Sequence, residues 1–497
     1  MSFNSLVFLI FLAIVLVLYY IIPHKFRWIM LLIASYIFYA YWDFYLIFLI
    51  LATTAVSYFA GIFIEKTENE KVKTLLLVIT LVVCLGFLLF FKYFNFLSLS
   101  ITSLVRFFGG QVDDFFLDLI LPVGISFYTF QTLSYVIDVY RGSIEAEKHI
   151  GYYALFVSFF PQLVAGPIER PENLIPQLKA DHKLESKNLL EGFKILVGGF
   201  VKKVVIADTL AVYVNAVYNA ETFNEVTGLA VVIATLIFMV QIYCDFSGYS
   251  DIATGCAKML GIELMVNFNR PFISQSLSEF WSRWHISLSS WFKDYIYIPL
   301  NYKAMGKKHL EARMHFNLLL LFFVSGLWHG ANWTFVVWGL YNGFCQVFGS
   351  LLKKAQKKVW QRFNWKEKVW DNRGLAIVRT TAILALGLVL FRSNTLANAG
   401  VFFGKIFTDW SFSIQYLVDT FQIMNMDVVG AITAVLLCVL MFFVDRMIIE
   451  PRGKTELSSE KAVGVNSGYI YLIWLIASAW LLLIASGQSS GFIYFQF

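Results

Sequence analysis

The sequence predicts an all-α, polytopic membrane protein, and three observations lead there. Of 497 residues, 59% are hydrophobic and 14% charged, against about 25% charged in a soluble domain. The mean hydropathy is +0.68. The charge deficit runs the whole length of the chain, with apolar stretches near 5–22, 28–41, 44–64, 74–91, 119–137, 150–165, 193–215, 227–244, 316–348, 375–391, 428–444 and 467–486. A helical span takes about 20 residues. Several stretches are shorter or interrupted, so the expectation is about 10–13 transmembrane or re-entrant helices. They form a single membrane domain over 1–497, with N-terminal helices in 1–140, a core in 150–350 and C-terminal helices with a tail in 351–497.

The first stretch lacks the basic leader and small-residue cleavage site of a signal peptide and reads as a retained span. Lys25 and Arg27 follow it, while no charge precedes it, which places the N-terminus outside. Segment 353–373 carries Lys353, Lys354, Lys357, Lys358, Arg362, Lys366, Lys368 and Arg373 against Glu367 and Asp371. It is expected in the cytoplasm, as are 303–313 and 446–461. One more span then leads to an uncharged, extracytoplasmic tail, 487–497. A net charge of +6 spread this way reports topology and gives no case for a nucleic-acid partner. The five cysteines form no C-x-x-C pair, so neither a disulfide framework nor a zinc site is indicated.

The residue that stands out is His329, in Ser325-Gly326-Leu327-Trp328-His329-Gly330-Ala331-Asn332-Trp333. It lies inside a run, 316–348, that contains no formally charged side chain. An ionisable group at membrane depth is costly and marks a functional site. Gly326, Gly330 and Ala331 let backbones or a ligand approach closely. Segment 278–297 reads as an amphipathic, Trp-rich helix for the membrane interface. Trp281, Trp284, His285, Leu288, Trp291, Phe292 and Tyr295 share its apolar face, and Glu279 pairs with Arg283 near the opposite side. Gln241, Asp245 and Gly248 fall near one face of the helix following 227–240, and a structural polar network is the favoured role for Asp245. Gly166-Pro167-Ile168-Glu169-Arg170-Pro171 is a rigid turn.

Other chemistries lack their signatures. Gly487-Gln488-Ser489-Ser490-Gly491 has the spacing of a nucleophile elbow, but it follows an apolar span instead of a strand. There is no P-loop or Gly-x-Gly-x-x-Gly fingerprint, and no His/Asp/Glu cluster has metal spacing. A neutral imidazole without a nucleophilic serine suits general-base help to a hydroxyl attacking an activated acyl group. In that scheme Asn332 would orient the ring or donate to the oxyanion. A proton-coupled transporter would also place a histidine here, although no inverted repeat is visible.

Trp-His-Gly-Ala-Asn-Trp around His329, Arg283-Trp284-His285-Ile286-Ser287-Leu288, Asp245-Phe246-Ser247-Gly248-Tyr249-Ser250-Asp251, the 166–171 turn and the terminal Phe492-Ile493-Tyr494-Phe495-Gln496-Phe497 together resemble the membrane-bound O-acyltransferases (MBOAT), in the branch that serves bacterial alginate O-acetylation. The resemblance implies an MBOAT fold around a central tunnel, with His329 and His285 as the two catalytic histidines and Trp328, Trp284, Asn332, Arg283 and Asp245 shaping the site. It also implies acetyl-CoA as donor, no permanently bound cofactor, a bacterial plasma membrane, and a separate extracytoplasmic transferase partner that modifies a polysaccharide. Tyr494 is a candidate acyl acceptor or relay. The alternatives are D-alanyl transfer from a carrier-protein thioester and a polysaccharide transporter without acyl chemistry. In one place the sequence departs from the branch. After Tyr297-Ile298-Pro299-Leu300, where relatives have a Gly-Gly-Asn/Ser-Arg turn, this chain has Asn301-Tyr302-Lys303-Ala304-Met305-Gly306-Lys307-Lys308.

Overall fold

A computed structural model describes the backbone of residues 1, 3–221, 223–363 and 372–452, with the side chains of 224, 354–363 and 447–452 left aside. Among these residues the regular structure is helical throughout. Seven helices are long and apolar enough to cross a membrane: Leu46–Lys66, Glu70–Phe107, Gly228–Met259, Leu310–His329, Trp333–Lys353, Arg373–Arg392 and Val428–Arg446. Leu6–Ile21 and Leu396–Thr408 are shorter apolar helices. The stretch expected at 467–486, the tail with Tyr494 and the 487–491 match lie outside the described residues. The outer faces of these helices are apolar: Val435, Leu436 and Val439 are each more than 60% exposed. Hydrocarbon is the solvent that makes such faces tolerable.

The chain packs as two compact units. Met1–Leu196 and Tyr249–Val266 form one; Val197–Gly248 and the described residues from Asn267 onward form the other. The expected 150–350 core is therefore divided, and both histidines fall in the second unit. In the first unit, Leu46–Lys66, Glu70–Leu88 and Ile125–Tyr140 pack together with Ile150–Ser158. Serine and tyrosine hydroxyls are paired inside it, as in Tyr153 Oη donating to Ser57 Oγ at 2.7 Å. The turn at 166–171 leads into the helix Pro171–Lys179, with Pro171 at its first turn, where a missing N–H costs nothing. Glu169 is fully buried there and accepts from Met265 N and from Asn173 Nδ2 (2.8 Å). Burial pushes its carboxyl up to about 7, against the hydrogen bonds and the neighbouring Arg170, which favour the charged form.

The stretch expected at 193–215, which begins in the first unit and continues into the second, is not one regular helix. A π-helical segment, Val201–Ala207, interrupts it between Ser186–Phe200 and Asp208–Tyr218. The interruption carries two adjacent buried lysines, Lys202 and Lys203. π-bulges are concentrated at functional or strained places in helices.

Candidate active site

The apolar run 316–348 folds as two helices. Leu310–His329 ends at His329, extended Gly330 turns the chain, and Trp333 opens the next helix. The two pack back to back. Gly326 and Gly339 sit at their crossing, where a Cβ on Gly326 would run into the carbonyl oxygen of Phe335 and one on Gly339 into that of Phe322. Small residues thus permit this close approach, and His329 is held at the tip of a helical hairpin. Its ring is 5% exposed. It meets Trp328, Trp338 and Phe391 edge-on, at centroid distances of 5.0, 4.9 and 5.3 Å.

The single interfacial helix expected over 278–297 is not formed. Leu277–Arg283 and Ile286–Phe292 are separate helices, broken at Trp284 and His285. His285 takes a left-handed conformation, φ 44° and ψ 55°, which is uncommon for a side chain with a Cβ. A neighbouring segment compensates. Ile286 N donates to Asn267 O (2.9 Å), Asn269 N donates to Arg283 O (2.9 Å), and Ser287 Oγ donates to Asn267 Oδ1 (2.6 Å). The break drives His285 into the interior at 1% exposure, against Phe246 (4.7 Å) and Trp328 (5.5 Å). His285 lies outside the seven candidate spans, and burial pushes its pKa down to about 3, so the imidazole is neutral. Trp328 is edge-on to both histidines.

Beside His329 is a cavity of about 40 Å³. Phe272, Phe280, Trp281, Trp284, Trp338 and Phe391 form its aromatic wall. Met239 and Ile242 of Gly228–Met259, Leu384 and Leu388 of Arg373–Arg392, and Asn342 complete it. His285 is not among these lining residues. Asn342 is the polar neighbour of His329 here, and its Nδ2 donates to Trp338 O at 2.9 Å. Asn332, expected to serve the ring or an oxyanion, is placed differently: its Nδ2 donates to Asn394 O (2.9 Å) and its Oδ1 accepts from Thr334 N (3.0 Å). That arrangement caps a helix start. Arg283 is held by Glu279 (3.0 Å), as the spacing suggested, and by Asn269 O (3.2 Å). It is not among the cavity's lining residues.

One layer behind the cavity lies a buried ionic network. Asp245 Oδ1 is 2.5 Å from Lys203 Nζ, which is also 2.7 Å from Asp208 Oδ1. Lys202 Nζ is 2.6 Å from Asp445 Oδ1, and Tyr243 Oη donates to Asp445 Oδ2 at 2.6 Å. Tyr243 in turn packs on Phe272 (5.2 Å) and Trp284 (6.0 Å), two cavity residues. Sequence reasoning singled out Asp245 but missed Lys202, Lys203, Asp208 and Asp445. The signal was there in two adjacent lysines inside an apolar stretch, which must find carboxylates.

The turn that departs from the relatives' pattern lines a second, solvent-facing cleft of about 450 Å³. Lys303, Lys307, His309 and Arg313 lie on it, together with Leu300 and Asn317. Gly306 and His309 turn the chain there with positive φ.

The sequence model of the membrane-bound O-acyltransferase family matches residues 37–393. The chain belongs to the MBOAT family. It is similar to the probable alginate O-acetylase of Azotobacter vinelandii, 35% identical over 527 aligned positions that cover both chains completely. It also resembles the peptidoglycan O-acetyltransferase of Helicobacter pylori, 33% identical over 74% of this chain and 71% of that one. The teichoic acid D-alanyltransferase of Bacillus subtilis is 30% identical over 55% of this chain and 69% of its own. This MBOAT protein is thus a multi-pass membrane O-acyltransferase, and the reading as a transporter without chemistry falls away.

Proposed function

We propose that this acyltransferase takes acetyl groups from cytosolic acetyl-CoA and passes them across the bacterial inner membrane for O-acetylation of an extracellular or cell-wall polysaccharide. A separate extracytoplasmic transferase completes the delivery. The observation that carries the acetyl assignment is the wall of the His329 cavity. Apart from His329 and Asn342 it is apolar or aromatic, and among the described residues no carboxylate lines it. A D-alanyl group would bring an ammonium that needs a partner on burial, whereas an acetyl methyl needs none.

In the proposed step His329 accepts the proton of the acceptor hydroxyl as its oxygen attacks the thioester carbonyl. The C–O bond forms, the C–S bond breaks, and the leaving thiolate takes the proton back from the imidazolium. A general base contributes about 10²- to 10⁴-fold. His285, neutral and packed through Trp328, is assigned a supporting role in this reading.

The basic cleft supports a phosphorylated donor. Lys303, Lys307 and Arg313 present cations on the segment 303–313 that the positive-inside rule puts in the cytoplasm. Roughly 18 Å of helical rise separates Asn317, on the cleft, from His329. A pantetheine arm is comparable to about five residues of extended backbone, roughly 17 Å. Phosphates held at the cleft would therefore leave the thioester within reach of His329. The polysaccharide acceptor rests on the activities of the relatives, two of which are O-acetylating proteins.

The test offers purified protein labelled acetyl-CoA and, separately, a D-alanyl carrier-protein thioester. Consumption of acetyl-CoA alone is the expected result. Consumption of the D-alanyl thioester alone would overturn the assignment.

A further inference from the structure

The inference rests on the acetyl-transfer reading and adds what fixes the length of the acyl chain. The cavity beside His329 has two unlike walls. One is aromatic and braced: Trp338 stands edge-on to His329 (4.9 Å), to Trp281 (5.9 Å) and to Phe391 (5.1 Å). Cutting a ring from this wall would loosen His329 itself. The other wall is aliphatic. Met239 and Ile242 lie one turn apart on Gly228–Met259, and Leu384 and Leu388 one turn apart on Arg373–Arg392. These side chains line the space and bring no charged or hydrogen-bonding group to it. That space, about 40 Å³, is a small cavity bounded on this side by four aliphatic side chains. An acyl chain lengthened in this direction meets the aliphatic wall, in an interior that packs at crystal density.

We propose that Met239 and Leu388, one from each helix, act as the stop that limits the transferred chain to two carbons. Met239 is 6% exposed, and replacement by alanine shortens it to Cβ without removing a ring that touches His329. Leu388 is half-buried, so its truncation perturbs packing less and provides an independent second variant.

The test measures kcat/KM for acetyl-, propionyl- and butyryl-CoA with wild type, Met239→Ala, Leu388→Ala and a control, Val435→Ala, on an exposed helix face. One methylene in an apolar pocket is worth about 10- to 200-fold in discrimination. Wild type is expected to favour acetyl over butyryl by at least about a hundredfold, and each cavity variant to reduce that ratio at least about tenfold. The control is expected to leave the ratio unchanged. Longer chains consumed by wild type as readily as acetyl, or ratios unmoved in both cavity variants, overturn the assignment while leaving acetyl transfer standing. If wild type consumes no acyl-CoA of any length, the acetyl-transfer reading falls, and the stop falls with it.

Discussion

Replacing Lys203 with methionine should destabilise the protein strongly, and neutralising its two carboxylate partners should rescue it. The ammonium lies 2.7 Å from Asp208 Oδ1 and 2.5 Å from Asp245 Oδ1, and the three side chains are 4%, 2% and 4% exposed. Methionine preserves most of the volume but leaves two carboxylates buried without their cation. Breaking a buried ion pair costs about 3–5 kcal/mol, and Lys203→Met removes a cation shared by two carboxylates. At about 1.4 kcal/mol per factor of ten, this is a shift of roughly a hundred- to a thousandfold or more in the folding equilibrium. Replacing a whole buried network with uncharged groups is often neutral. The triple variant Lys203→Met, Asp208→Asn, Asp245→Asn should therefore recover most of the loss. The assay follows the folded fraction of each purified variant against a rising share of denaturing detergent. A single variant within about 1 kcal/mol of wild type, or a triple variant no better than the single, would show that these three side chains do not act as one coupled cluster.

Burial of neutral His285 makes stability depend on pH. The unfolded chain binds this proton near pH 6.5 and the folded chain only near 3, so stability should fall as pH drops through that window. His285→Phe should flatten this slope, and an unchanged slope would count against a neutral buried ring. Glu169 acts in the opposite sense. Its folded pKa is raised from 4.5 to about 7, so its contribution is full below 4.5 and is lost as pH rises through 7. In Glu169→Gln the decline between pH 4.5 and 7 should disappear from the difference between variant and wild type. Gly326→Ala should cost about 1–3 kcal/mol, because the new Cβ meets the carbonyl oxygen of Phe335, a backbone atom of the facing helix. A melting profile equal to wild type would show that the hairpin has slack.

Much of the architecture was legible because hydrocarbon imposes a simple rule. An apolar run long enough to span, bounded by basic loops, is a membrane helix. The weight placed on His329 followed from the same rule, since its imidazole stood in an uncharged run. What periodicity could not show was decided by partners distant in sequence. The segment 278–297 has a good helical pattern, yet Asn267 receives the hydrogen bonds of Ile286 and Ser287 and holds the chain open at His285. The run 316–348 has no formally charged side chain to mark a break, and its reversal at 330–332 depends on Gly330 and on the capping of Asn332. The choice of Asp445 as partner for Lys202 spans about half of the sequence. Leu384 and Leu388 look like any lipid-facing leucines until the cavity they line is visible.

The most direct test of the account compares His329→Ala with wild type for acetyl transfer and for acetyl-CoA binding in the same purified preparation. The account predicts that kcat falls by at least about a hundredfold while donor affinity stays near that of wild type. A His329→Ala protein that transfers acetyl at the wild-type rate would contradict the claim that this imidazole performs the chemistry.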